Sequence, residues 1–381
     1  MKITKVETLC LSRPHEPEHR WFTSNFRTTK ADCAIVVIHT DDGLQGIGEG
    51  CAYGDPPQIR EKVEWLSHEL VGRSPLDPAV APHPNGHSRA YDAAVSGLDA
   101  ALWDIRGKAE GKPVSELLVD RPLERVRLYA SSGCRYDWGE RPEQLIDEAL
   151  EYIEDGFTAY KFRLGSEWTW DDVTVGRFIA LLEKLVEAVD GRMDLILEGN
   201  QRFTESDALE IAQAIDRMGF FWFEEPIPAA QIDGYARLNA AVELPISGGE
   251  ALTTGEQFVP YLEQKAYSIV QADAGLCGIT EGLRIGRAAH HMGAVLIPHN
   301  WHNGLMTMAN AHLVAALPNP RILELCMIQG PLQWDILKEK PVIRDSFLEL
   351  PDRPGLGVDL ADDLEQRFPY IEGSYGVTVE K

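Results

Sequence analysis

The chain has 381 residues, 44% apolar and 25% charged, which allows a sizeable core and more than one ordinary domain. Its formal net charge of −24 argues against nucleic-acid binding, which needs clustered Lys and Arg, and leaves any anionic substrate to be captured by a local cation. The six scattered cysteines form no C-x-x-C pair, and no apolar run approaches the roughly 18 residues that span a bilayer, so the expectation is a soluble cytoplasmic protein with reduced thiols.

The N-terminus, MKITKVETLCL, alternates like a strand and lacks the apolar run of a signal peptide. CAIVVIHT, a D-D-G turn and LQGIGEG continue the strand pattern. Helical patterns follow around Pro57–Val71 and Ala90–Ala109, the second ending at Gly111 with Pro113 just beyond. Strands followed by helices predict a separate α+β unit over residues 1–122.

After Pro122 the rhythm becomes strand then helix. RLYASSG, AYKFRLG, DLILEGN, FFWFEEP, LPISGGE, SIVQADAG, AVLIPHN and ILELC are eight short apolar strand candidates. Amphipathic stretches such as VGRFIALLEKLVEAVDG separate many of them. The rhythm predicts an α/β fold with a parallel (β/α) barrel over residues 123–350, and a doubly wound open sheet is the runner-up. The closing helix is the weakest element, because loop-like sequence follows Cys326. Residues 351–381 are rich in Pro, Gly and Asp at their start, and are expected to return to the N-terminal unit.

The polar residues of this rhythm fall at strand ends. Glu198, Glu224 and Glu250 are spaced by 26 residues, Asp273 follows after 23, His299 after 26 and Glu324 after 25. One βα unit has about that length, so these side chains should ring one barrel mouth, the face where barrel enzymes keep their chemistry. Three converging carboxylates repel one another unless a hard cation neutralises them, and an all-oxygen set suits Mg²⁺. For any one glutamate a solvated loop is the commoner explanation; three in register at strand ends are harder to explain that way. Lys161 and Arg163 alternate on one strand and should both aim into the barrel, as candidates for a substrate carboxylate. His299 is the candidate general base, with Asp273 to orient it and raise its pKa. His302, His290 and His291 are less favoured as bases, the last two lying in a helical stretch.

ALWDIRGKAEGKP, K-x-R at 161–163, EGN at 198–200, FEEP at 223–226, GGE at 248–250, QADAG at 271–275, PHN at 298–300 and PDRPGLGV at 351–358 together resemble the mandelate racemase subgroup of the enolase superfamily, along essentially the whole chain. The resemblance implies a modified TIM barrel with an N-terminal α+β capping domain closed by the C-terminal segment. By position it implies one Mg²⁺ per subunit on Glu198, Glu224 and Glu250, with Glu225 beside the metal rather than on it. Asn200 and Lys161 match contacts to the substrate carboxylate, Asp273 and His299 match a catalytic dyad, and Glu324 matches an acid facing the enolate oxygen. Specificity loops would come from the capping domain around 19–27 and 49–55, with Trp21, Phe22, Arg27 and Tyr53 as candidates; His302 joins them as a possible substrate contact. Barrels of this family commonly form homo-oligomers.

One residue departs from the pattern. The family often has K-x-K on the second barrel strand, and its second lysine acts as a base; here that residue is Arg163. A guanidinium with a pKa above about 12 is a poor base. With His299 alone clearly competent, chemistry on one face of the α-carbon fits better than racemisation. The expected reaction is dehydration of a sugar acid, an aldonate or aldarate, to a 2-keto-3-deoxy acid by a hydro-lyase. A racemase, epimerase or cycloisomerase acting through the same enediolate is the alternative, and a non-catalytic barrel is disfavoured by the intact polar set.

Overall fold

The computed structural model describes residues 1–16, 26–51, 55–133, 141–163, 173–328 and 330–378. The strands β1 (Ile3–Pro14), β2 (Phe26–Thr28), β3 (Lys30–Thr40) and β4 (Gln45–Gly50) come first, and β1, β3 and β4 form an antiparallel sheet in that order. Helices α1 (Pro56–Leu70), α2 (Arg89–Glu110) and the short α3 (Val114–Leu118) follow. Ser88 caps α2, and Gly111 ends it in the left-handed region at φ 69°. On β3 the period of two divides the side chains: Ala34, Val36 and Ile38 join the α1–α2 core, while Cys33, Ile35 and Val37 join the barrel-side core.

The G-x-G-x-G of β4 has a steric cause. A Cβ on Gly46 or Gly48 would lie 2.1 Å from an α2 carbonyl oxygen, so β4 lies directly on the helix backbone. That leaves Ile47 and Glu49 to face the other way. Glu49 is buried and accepts bonds from Asn303 Nδ2 (2.8 Å) and the Met306 amide (2.9 Å).

The barrel runs β5 (Arg125–Ser131), α4 (Gln144–Glu154), β6 (Ala159–Arg163), α5 (Val175–Val189), β7 (Asp194–Glu198), α6 (Glu205–Arg217), β8 (Trp222–Glu224), α7 (Ile232–Ala241), β9 (Ile246–Gly248), α8 (Gly255–Glu263), β10 (Ile269–Val270), α9 (Ala274–His291), β11 (Val295–Leu296), α10 (Gly304–Ala315) and β12 (Ile322–Cys326). All eight strand candidates become strands, and β5 through β11 pair in sequence, parallel throughout. β12 pairs parallel with β5, Glu324 opposite Tyr129, so the last strand meets the first and an open doubly wound sheet is excluded. Tyr129, Ala159, Ile196, Trp222, Ile269, Ile297 and Ile322 fill the interior as an apolar plug.

Two features modify the barrel. Among the described residues no backbone ladder joins β11 to β12; Asn300 spans that seam, its Nδ2 donating to the Glu324 carbonyl (2.8 Å) and its amide to Glu324 Oε2 (2.7 Å). Nor does an α-helix follow β12 there; a single 3₁₀ turn, Gly330–Gln333, is all the helix that segment holds. A hairpin of β13 (Ile343–Arg344) and β14 (Phe347–Glu349) comes instead, and β14 pairs antiparallel with the start of β5.

The C-terminal segment, with α11 (Leu364–Arg367) and β15 (Gly376–Thr378), returns to the N-terminal unit. The Leu356 amide donates to Asp104 Oδ1 (2.8 Å), the Val114 amide donates to the Gly355 carbonyl (2.9 Å), and β15 pairs with β2. Among the described residues no helix is long and apolar enough to cross a membrane.

Candidate active site

The strand register assembles the site. Arg163 lies opposite Glu198, Glu198 opposite Glu224, and Glu224 opposite Ser247, so the ends of β6 to β9 present their polar side chains on one rim. Residues past β7 and β8 turn sharply in the left-handed region: Asn200 (φ 46°), Gln201 (φ 61°) and Glu225 (φ 36°). This reversal separates the two glutamates of the E-E-P sequence. Glu225 turns away to accept from the Gly249 amide (3.1 Å) and Gln201 Nε2 (2.6 Å), and burial followed by the Glu250 charge pushes it up to about 8.

Glu198, Glu224 and Glu250 bring ligand oxygens within 4.8 Å of one another. Glu198 and Glu224 are fully enclosed, and Glu250 is partly open. Burial and the neighbouring Glu224 charge push Glu198 well above the usual carboxylate range. For Glu224, burial is outweighed chiefly by the Lys161 ammonium, which holds it at about 2. A buried carboxylate pair that retains a proton is short of positive charge, and a divalent cation supplies it in the all-oxygen surroundings that hard cations prefer. The donor set therefore fits such an ion.

Lys161 is buried at the centre of the carboxylates. Its ammonium donates to Glu224 and lies 3.0 Å from Glu324 and 3.5 Å from Glu198. Burial lowers its pKa, but Glu224, Glu324 and Glu198 more than offset this and keep it charged. Glu324 is disfavoured by burial, yet Lys161 and His299 hold it below its usual value. Arg163 extends from β6 to place its guanidinium carbon 4.2 Å from the Trp301 ring.

Farther round the same rim Asp273 caps α9 and accepts from two imidazoles at the same oxygen: His299 Nδ1 at 2.8 Å and His302 Nε2 at 2.6 Å. Two N–H groups aimed at one carboxylate oxygen make a hydrogen-bonded triad, although the three residues also lie close enough for metal ligation. Burial disfavours the His299 imidazolium, but Glu250, Asp273 and Glu324 outweigh it and push it up to about 9. His299 Nε2 faces Glu250 Oε2 at 3.7 Å, so the imidazole borders the carboxylate cluster.

The structure thus gathers Lys161, Arg163, Glu198, Glu224, Glu250, Asp273, His299 and Glu324. The half-buried Asn200 joins them, its amide donating to Glu198 Oε1 at 2.7 Å. His302 arrives with Nε2 committed to Asp273. His290 and His291 are exposed in the last turn of α9. Trp21, Phe22 and Tyr53 lie outside the described residues, as does the side chain of Arg27.

Sequence reading missed a polar seam inside α10. Asn310 Nδ2 donates to Asp273 Oδ1 (3.3 Å) and to Asn300 Oδ1 (3.1 Å), while Thr307 Oγ1 accepts from Asn300 Nδ2 (3.0 Å). Asn303, Thr307 and Asn310 recur at helical spacing in an otherwise apolar run, and buried polar residues there are the signal that could have exposed them. Arg202, a cation four residues past Glu198, was also overlooked.

Family comparison agrees with this geometry. Residues 4–119 match the mandelate racemase/muconate lactonizing enzyme N-terminal domain, and residues 144–364 match the enolase C-terminal domain-like family. The chain is 32% identical over 346 residues to an arabinonate dehydratase of Saccharolobus solfataricus, covering 88% of this chain and 90% of that protein. It is 30% identical over 384 residues to a D-galactarolactone cycloisomerase of Agrobacterium fabrum, covering 97% and 99%. The crystal structure of the 3,6-anhydro-D-galactonate cycloisomerase from Zobellia galactanivorans superposes with a TM-score of 0.81 at 29% identity, over 97% of this chain and 99% of that one. With both halves matched and a carboxylate cluster at the barrel mouth, the chain belongs to the mandelate racemase/muconate lactonizing enzyme family of the enolase superfamily.

Proposed function

We propose that the chain is a Mg²⁺-dependent dehydratase of a sugar acid, forming a 2-keto-3-deoxy acid. The observation that carries this reading is His299, oriented by Asp273 at 2.8 Å and bordering Glu250 of the carboxylate cluster, with an arginine where a second base would stand. Glu198, Glu224 and Glu250 would hold the metal, which when bound supplies the fixed positive charge that a carboxylate needs as its α-proton leaves.

The remaining work falls to the chain. Lys161, with Asn200, places a donor at the substrate carboxylate, and Glu324 faces the oxygen on which charge develops. Once a cation offsets the Glu250 charge that raises it, His299 is neutral and takes the α-proton at Nε2 while Asp273 holds Nδ1–H and stabilises the imidazolium. The same imidazolium then returns the proton to the departing β-hydroxyl, which leaves as water. The enol so formed tautomerises to the 2-keto acid. Arg163, held against Trp301, acts as a fixed charge rather than as a base.

The dehydratase relative supports this reaction, and the similarity to a galactarolactone cycloisomerase favours a second reading, isomerisation through the same proton abstraction. Aldonates, aldarates and aldarolactones incubated with enzyme and Mg²⁺ separate the two. Release of a 2-keto-3-deoxy acid from an aldonate or aldarate is expected. Lactone isomerisation or α-deuterium uptake without that keto acid would overturn dehydration in favour of the alternative.

A further inference from the structure

His302 has no part in the proton-abstraction step, yet it is built into the site as closely as His299. It is buried on the turn between β11 and α10, and its Nε2 lies 2.6 Å from Asp273 Oδ2, nearer than His299 Nδ1 at 2.8 Å. The two rings stand at 88° with centroids 5.7 Å apart, so they reach that oxygen from two directions. The other oxygen, Oδ1, accepts from the Gly275 amide (2.7 Å) and from Asn310 Nδ2 (3.3 Å). A carboxylate offers about four lone-pair sites, and four donors fill those of Asp273. Burial disfavours its charge, but His302 and His299 outweigh burial and hold it well below the usual carboxylate range. An ionised carboxylate only accepts, so the proton in each of these two contacts belongs to the imidazole.

The surroundings make room for this ring. A Cβ on Gly275 would lie 2.6 Å from His302 Nε2, so the imidazole crosses the first turn of α9 where any larger residue would displace it. The N-terminal unit closes over the same glycine: the Cys51 amide (3.0 Å) and the Ser96 hydroxyl (2.7 Å) both donate to the Gly275 carbonyl. Next to His302, Asn303 Nδ2 donates to Glu49 Oε1 (2.8 Å) and to the Asp32 carbonyl (3.0 Å). The chain beside the ring and the residue that it crosses are thus both anchored to the N-terminal unit.

Resting on the reading of His299 as the base, we infer that His302 is a positioning residue for it: by filling the second lone pair of Asp273 Oδ2, it stops that oxygen from following the His299 ring. With His302 in place, His299 Nδ1 bonds to a fixed point and Nε2 stays at the edge of the carboxylate cluster, 3.7 Å from Glu250. With that donor gone the carboxylate can rotate and carry the base with it, which misplaces Nε2 for the α-proton.

The test compares the Mg²⁺-loaded wild type with three variants. His302→Leu removes the N–H, His302→Gln returns one near the place of Nε2, and Gly275→Ala displaces the ring without removing it. On an acid that the wild type turns over, His302→Leu and Gly275→Ala should each lower kcat about tenfold or more, while KM moves less than about threefold. His302→Gln should recover most of that loss, and Mg²⁺ binding by calorimetry should persist in all three. An unchanged kcat in His302→Leu, a loss confined to KM, a glutamine variant no better than the leucine one, or a parallel loss of Mg²⁺ binding overturns the inference. Should His302→Leu not fold, Gly275→Ala decides by the same criteria.

If no acid reacts, the dehydratase reading fails by itself, and the imidazoles decide the contact. Magnetic resonance on ¹⁵N-histidine-labelled protein should show a proton on His302 Nε2. The His299 Nδ1–H resonance should differ between His302→Leu and His302→Gln, which both lack the ring and differ in the N–H. A bare His302 Nε2, or coincident His299 resonances in the two variants, would sink the positioning role as well.

Discussion

His312 ties the barrel to the cap, and it makes the stability of that junction depend on pH. It is fully buried in α10; its Nδ1 accepts from the Ser115 amide and its Nε2 donates to the Leu356 carbonyl, both at 3.2 Å. A proton added at Nδ1 would break the first bond and bury a charge. Burial accordingly depresses the imidazole to about 4, despite the Leu356 carbonyl. The unfolded chain titrates near 6.5, so between pH 6.5 and 4 it binds the extra proton and the folded state does not. The contribution is complete above about pH 6.5 and is lost as pH falls through 4. A gap of roughly 2.5 units at 1.36 kcal/mol each gives about 3 kcal/mol. Urea unfolding of wild type and His312→Gln from pH 7.5 to 4 measures it as a difference, because Gln keeps a donor and an acceptor but does not titrate. The wild type should lose about 3 kcal/mol more than the variant over that window. Parallel curves would refute the buried neutral imidazole.

Further outcomes follow from the rim and the cap. Mg²⁺ at about a hundredfold excess over Kd should stabilise the protein by about 2.7 kcal/mol relative to EDTA, raising its midpoint in calorimetry, and Glu224→Ala should abolish the rise. His299→Asn should lower keto-acid formation by about 10³-fold in a coupled assay, while Mg²⁺ binding by calorimetry persists. Asp273→Asn should reduce kcat more than it raises KM, because it disturbs the tautomer of the base rather than a substrate contact. Glu49→Ala leaves the Asn303 and Met306 donors buried without their acceptor and should cost about 3 kcal/mol by urea unfolding; an effect below about 0.5 kcal/mol would contradict the contact.

The barrel was legible because its signal is periodic. Eight apolar runs at βα spacing mark β5 to β12, and the ends of the same runs carry Glu198, Glu224, Glu250, Asp273, His299 and Glu324. The missing helix after β12 was foreshadowed by loop-like sequence past Cys326. Other features depend on side chains meeting across the fold. Nothing local to Asp273 announces that His302 will share its oxygen with His299, since the pairing needs the turn after β11 to fold back. Arg202 was overlooked because a lone arginine after a strand is usually solvated, and only its enclosure distinguishes it. Lys161 was expected at a substrate carboxylate, but its simultaneous approach to three glutamates follows from strand register rather than from any motif.

The seam between β11 and β12 has a consequence for what sets the geometry across it. His299 lies on one side of it and Glu324 on the other, and Asn300 rather than a ladder holds them together. Elsewhere in the ring, moving one strand end against its neighbour means breaking several backbone bonds at once. Here the distance between proton acceptor and opposing acid is set by the hydrogen bonds of Asn300, which Thr307 and Asn310 hold in place in turn. A change in that distance therefore runs through three buried side chains and their bonds rather than through a ladder of backbone bonds.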